Sequence, residues 1–185
     1  MKIIIVGCGN VGATLAEQLD KEGHDVTVID VKEKLVNNLS DACDVLGVVG
    51  NGASYSVQME ADVNHADILI AVTGSDELNL LCCLIAKKAG GCHTIARVSN
   101  PVYSREISFI REELGLSMII NPQQAAAREM ARILKFPSAL KIDFFAKSRA
   151  ELVTYRLEEG SPLCNMQLKN MGSRLKSSVL VAIVE

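Results

Sequence analysis

Gly7-Cys8-Gly9-Asn10-Val11-Gly12 sets three glycines at the spacing G-x-G-x-x-G, directly after the apolar run 2–6 and at the opening of a helical pattern. Each glycine answers a separate steric demand. Gly7 permits the tight strand-to-helix turn, Gly9 lacks the Cβ that would hold a pyrophosphate off the backbone, and Gly12 lets helix and strand approach closely. Unbonded N–H groups at the positive end of the helix then face an anion. Asp30 closes the next strand-like run about 20 residues on, where it would accept from ribose hydroxyls. A carboxylate there repels a 2′-phosphate, so NAD is favoured over NADP, a preference that Lys32 softens. The competing reading of these residues is a glycine turn without ligand, with Asp30 capping the helix that follows.

Three other loops are expected at the same edge of a sheet, since ligands of open α/β sheets bind outside the carboxyl ends of the strands. Asn51 and Gly52, followed by Ala53, are candidates for the adenine side. Thr73 and Gly74 are candidates for the diphosphate or second ribose, and Arg97 for a cation beside phosphate. Ser75 suits a helix N-cap, and Asp76 and Glu77 suit a first helical turn; Arg97 reads alternatively as a solvated surface residue. The full candidate set is Gly7, Cys8, Gly9, Asn10, Val11, Gly12, Asp30, Val31, Asn51, Gly52, Ala53, Thr73, Gly74 and Arg97.

The elements that must position these residues follow from periodicity. Short apolar runs at 2–6, 25–30, 46–49, 68–72, 94–98 and 118–120 read as strands, and 10–22, 32–42, 76–89 and 123–134 as helices. Strand and helix alternating at this pitch give βαβ units and a parallel sheet, and runs apolar throughout suit strands buried on both faces. The fold expected is α/β: a Rossmann-like doubly wound parallel sheet, then a hinge helix and a small, incomplete α+β subdomain. Residues 1–121 form the nucleotide-binding domain, 122–137 the crossover helix and hinge, and 138–185 the start of a C-terminal subdomain. In that last part, 140–146 and 151–157 read as antiparallel strands, 163–175 as a short helix and 179–184 as a third strand. So thin a module is expected to be completed by further chain or by a partner. On helix 123–134, Ala125, Ala126, Ala127, Met130, Ile133 and Leu134 cover more than one face; the extra face meets a second subunit, or the helix is a further core helix.

Composition narrows the function. The chain has 185 residues, 49% hydrophobic and 22% charged, ordinary for a globular protein. Aromatics at 4%, no Trp and a net charge of −3 argue against nucleic acid as a partner. No stretch approaches the roughly 18 apolar residues of a membrane span. The six cysteines form no C-x-x-C pair, which suits reduced thiols in a cytosol. Cys82, Cys83 and Cys92 beside His93 read as core thiols, not as a metal site. His24, His65 and His93 all fall near the amino ends of strands, away from the expected ligand, so no proton-transfer residue is evident and no enzyme is expected.

Taken together and in this order, GCGNVG, VTVID, GNGA, TGSDELN, ARVSNPVY and NPQQAA resemble the NAD-binding subunits of Trk potassium-uptake systems, the TrkA family, within the wider group of RCK or KTN ligand-gating domains. The stretch 136–145 is similar to that family's hinge, and GSPLCNMQL to its G-x-P-L…L segment. The resemblance implies a cytoplasmic regulatory subunit, peripheral to the inner face of the membrane through its partner. It would bind NAD or NADH (with ATP or ADP as occupants of the same site), assemble as a homodimer or higher oligomer, and gate a membrane potassium transporter by ligand-induced conformational change. By position, Gly7 to Val11, Asp30, Thr73, Gly74 and Arg97 would contact the nucleotide. Asn10 stands where ATP-binding relatives often carry a basic residue, which leans toward NAD(H). Such subunits usually carry two modules in tandem and this chain carries one, so a longer native protein is expected. The alternatives are a nucleotide sensor of another channel or antiporter, and an NAD-dependent dehydrogenase, for which too little chain follows Pro137.

Overall fold

Unbroken β-branched and apolar residues build the centre of the sheet. In the computed structural model, which describes residues 1–135, 139–145, 150–167 and 170, β1 (Lys2–Val6), β2 (Asp25–Asp30), β3 (Val45–Val49), β4 (Ile68–Ala71), β5 (His93–Arg97) and β6 (Met118–Ile120) form one parallel sheet in the order β3-β2-β1-β4-β5-β6. Ile4 lies opposite Thr27 on one side and Leu69 on the other. Connections leave β1 toward β2 and β3, and then cross back to β4. A crevice therefore opens at the carboxyl ends of β1 and β4, where the winding direction reverses.

Alternation along β1 feeds two apolar layers. Ile3 and Ile5 pack with Val26, Val28, Ala16 and Val36 beneath α1 (Asn10–Lys21) and α2 (Glu33–Ala42). Ile4 and Val6 pack with Ile29, Leu69, Cys82 and Cys83 beneath α4 (Asp76–Ala89). The expected α/β doubly wound fold is present. Burial on both faces is not universal, however. β3 is an edge strand, with Leu46 59% and Val49 48% exposed.

Connections at 53–67 and 101–113 also carry more structure than their patterns suggested. They hold α3 (Tyr55–Glu60), a 3₁₀ turn at Val63–His65, α5 (Pro101–Arg105) and α6 (Ile107–Glu113). The start of α5 was in fact marked in the sequence: Asn100 Oδ1 accepts from the Val102 N–H, with Pro101 at the first helical position.

Contacts divide the chain into two units, Met1–Ala127 and Arg128–Glu185. α7 (Pro122–Lys135) is capped at its start by Asn121, whose Oδ1 accepts from the Gln124 N–H. Its Met130, Ile133 and Leu134 are exposed. In the second unit, β7 (Ala139–Phe145) and β8 (Ala150–Tyr155) form the expected antiparallel pair, with an irregularity between Ala139 and Lys141. The start of the expected helix 163–175 is turn instead, and Asn165 takes a left-handed conformation (φ 58°) that a continuous helix excludes. Residues 168, 169 and 171–175 of that helix, the strand 179–184 and residues 136–138 of the hinge stretch lie outside the described residues. No helix among the described residues is long and apolar enough to cross a membrane.

Burial decides the chemistry of the thiols. Cys82 and Cys83 are fully buried in the α4-side layer and Cys8 lies in the opposite one; loss of solvation pushes all three up to about 12. Cys164 is exposed. Iodoacetamide at pH 8 is therefore expected to label Cys164 and leave these three untouched until the chain is unfolded. Peptide mapping of the native protein checks this, and rapid labelling of Cys8 would contradict it. Among the described residues no cluster of His, Cys, Asp or Glu is placed to hold a metal ion.

Candidate functional site

The glycine turn is held by backbone contacts that tolerate no side chain at two of its positions. Gly7 has φ +104° and donates its N–H to the Ile29 carbonyl at 2.8 Å; a Cβ there would sit 2.9 Å from Thr73 N. A Cβ on Gly12 would collide with the Gly7 carbonyl oxygen. Gly9 differs, because a Cβ on it meets nothing within 4 Å. Gly9 is the N-cap of α1 and brings no side chain to the first-turn N–H groups, so they face the opening that it leaves.

Asp30 ties two loops together. Its Oδ2 accepts from the Cys8 N–H at 2.8 Å and its Oδ1 from the Lys32 N–H at 2.9 Å. The helix that follows has Lys32 as N-cap with no side-chain bond, so Asp30 is a clamp between loops and not a helix cap. Each carboxylate oxygen still has acceptor capacity left for a hydroxyl.

The opposite wall is built on Asn79, which is fully buried. Its Oδ1 accepts from the Thr73 N–H and hydroxyl at 2.8 and 2.7 Å, and its Nδ2 donates to the Thr73 and Arg97 carbonyls. Thr73 is thereby fixed from both sides, and β4 is joined to β5. Ser75 caps α4 as expected, its Oγ accepting from the Leu78 N–H. Asp76 reaches across instead, with Oδ2 accepting from the N–H groups of Ser99 and Asn100. Hydrogen bonds from its own backbone, from Tyr103 and from Ser75 hold the Glu77 carboxyl below its usual range.

Between these walls lies a cavity of about 580 Å³. Gly7, Gly9, Asn10, Val11, Asp30, Val31, Asn51, Gly52, Thr73, Gly74 and Arg97 all line it, from five segments far apart in sequence. Cys8, Gly12 and Ala53 do not. Cys8 is buried under the turn with its N–H on Asp30, Gly12 packs against Gly7, and Ala53 gives its N–H to Asn51 Oδ1. Lys32, named above beside Asp30, lines the cavity, and Leu35, Gly50, Ser75 and Leu78 line it without having been singled out for it. Leu35 and Leu78 occupy the first turns of helices that start at this edge, a position that follows once the strand order is known. Gln58 was also missed. Fully buried on α3, it donates Nε2 to the Gly52 and Cys82 carbonyls at 2.6 and 3.0 Å and so fixes the Asn51–Gly52 wall.

Residues 3–122 match the model of the TrkA-N domain family. The chain belongs to the TrkA-N family. It is 38% identical over 161 residues to the Trk system potassium uptake protein TrkA homolog of Archaeoglobus fulgidus, a match covering 87% of this chain and 36% of that protein. To the homolog of Methanothermobacter thermautotrophicus it is 35% identical over 153 residues, covering 83% and 69%. This TrkA-N chain thus spans about a third of the length of the first of these relatives. Among solved structures it is similar to the TrkA-N domain of inner membrane protein YbaL from Escherichia coli (TM-score 0.64, 25% identity, 72% of this chain and 96% of that one). Two GsuK structures share the fold at lower identity. The channel bound to NAD gives a TM-score of 0.61 at 21% identity, over 79% of this chain and 25% of that one. GsuK bound to ADP gives 0.58 at 22%, over 74% and 34%.

Proposed function

We propose that this TrkA-N chain binds an adenine nucleotide, with NAD or NADH favoured, and that it is a regulatory part of a membrane potassium-uptake system. The observation that carries the binding is the space over Gly9. An uncapped helix N-terminus faces a cavity of about 580 Å³, and the residue at its cap, Gly9, puts no side chain into that space. The pyrophosphate sits over Gly9, Asn10 and Val11. The adenosine ribose meets Asp30, the adenine lies by Val31, Asn51 and Gly52, and the second half reaches Thr73, Gly74 and Arg97. Asn10 brings no charge for a third phosphate, which favours a dinucleotide over ATP. The Trk names of the relatives, and the NAD and ADP in the GsuK structures, support the same reading.

The work is binding, not bond chemistry. A ligand biases a conformational equilibrium only by its difference in affinity for the two states, and that bias passes to the transporter. Residues 1–121 act as the nucleotide domain, 122–137 as crossover helix and hinge, and 138–185 as the start of a C-terminal subdomain. The exposed apolar residues of α7 meet a second copy of the chain. The protein works in the cytoplasm, held at the inner membrane face by its transporter partner.

Calorimetric titration of the ligand-stripped chain with NAD⁺, NADH, ATP and ADP tests this. We expect micromolar NADH or NAD⁺ and weaker ATP. Asp30→Ala should weaken NADH by about 10- to 100-fold, because a charged acceptor is lost and the Cys8 and Lys32 N–H groups lose their anchor. Tight ATP with weak dinucleotide would overturn the assignment for Asn10, and unchanged NADH affinity in Asp30→Ala would overturn the ribose contact.

A further inference from the structure

Ser99 engages every polar atom it has. Its N–H donates to Asp76 Oδ2 at 2.9 Å and its carbonyl accepts from Asn121 Nδ2 at 3.3 Å. Its hydroxyl accepts from Arg97 Nε at 3.3 Å and donates to Gln123 Oε1 at 2.9 Å. Arg97 lines the cavity and Gln123 lies in the first turn of α7, all within the unit Met1–Ala127. One hydroxyl thus joins the cavity wall to the start of α7.

The two bonds of that hydroxyl are unequal. The bond to Gln123 has ordinary length, whereas the one from Arg97 is longer than N–H···O bonds usually are. Among the described residues Arg97 has no carboxylate partner. It is a guanidinium at a cavity wall, held by one weak neutral acceptor.

We propose that Arg97 reads the charge of the phosphate farther from the adenosine, and that Ser99, a positioning residue, carries the result to α7. The proposal rests on the nucleotide reading above. ADP ends in a terminal β-phosphate with close to two negative charges, which a guanidinium engages through paired N–H donors. Arg97 drawn onto that phosphate leaves Ser99, and the hydroxyl, no longer oriented by Nε–H, releases Gln123. In NADH the phosphate at that place is esterified to the nicotinamide riboside and keeps a single negative charge, so it draws Arg97 less, Arg97 stays on Ser99 and the first turn of α7 stays tied.

Hydrogen–deuterium exchange of the peptide spanning 121–128, in the chain alone and saturated with NADH or ADP, tests this. Saturation is established by calorimetry on the same samples. ADP should speed exchange there by about fivefold, the scale of one ordinary hydrogen bond, and NADH should leave it at the ligand-free rate. Ser99→Ala should exchange fast in all three states, Ser99→Thr should restore the difference, and Arg97→Lys should abolish it. Equal exchange with ADP and NADH in the wild-type chain, both bound, would overturn the coupling while leaving the nucleotide reading intact. Failure of both to bind would overturn that reading and the coupling with it.

Discussion

Gly9→Val is expected to abolish binding of NADH and ADP, with a loss of about a thousandfold or more, while moving the thermal midpoint by no more than about 4 °C. The local backbone is extended (φ −72°, ψ −173°), a conformation any residue adopts, and a Cβ at this position meets nothing within 4 Å. The fold therefore accepts the branched side chain, at the modest cost of a poorer N-cap, about 1 kcal/mol. The space it fills is the one through which a phosphate would approach the first-turn N–H groups of α1. Calorimetry beside a melting curve separates the two quantities. Near-native affinity in this variant would mean that the phosphate does not sit over Gly9.

Gly12→Ala is expected to do the reverse. In an exposed helix the change would add about 1 kcal/mol of stability by propensity alone. Here the new Cβ is driven into the Gly7 carbonyl oxygen, with the Gly7 carbonyl carbon at 3.0 Å and Val72 Cγ2 at 3.4 Å behind it. Gly7 cannot retreat, because its φ of +104° and its N–H bond to Ile29 fix it against β2 and β4. The helix must lift from the sheet, so we expect a destabilisation of about 3 kcal/mol and a fall in midpoint of about 6–12 °C. Urea denaturation gives the free energy directly. A midpoint at or above that of the wild type would show that α1 and β1 are not packed this closely.

The contrast shows what the sequence disclosed. Glycine spacing, the strand before it and Asp30 are local features, and they located the turn and most of the cavity. The family resemblance, carried by motifs in order along the chain, agrees with the TrkA-N match over residues 3–122. What stayed hidden depends on which loops meet in space. That Asp30 holds Cys8, or that Asn79 anchors both Thr73 and Arg97, follows from strand order and not from spacing. β3 reads as apolar as β1, yet it lies at the sheet edge, and an edge position is fixed by crossovers that no single segment records. α3, α5 and α6 are too short for periodicity to declare them, and Gln58 was overlooked with α3.

The clamp made by Asp30 has a kinetic consequence. With the Cys8 and Lys32 N–H groups both fastened to one carboxylate, the glycine turn and the start of α2 are held in place by the protein's own groups. Little ordering of those loops is then needed to receive the proposed nucleotide, and its association is expected near the rate of an ungated site. Variants that weaken the seat without loosening the clamp then shorten the residence time of the ligand, while its arrival rate stays almost unchanged.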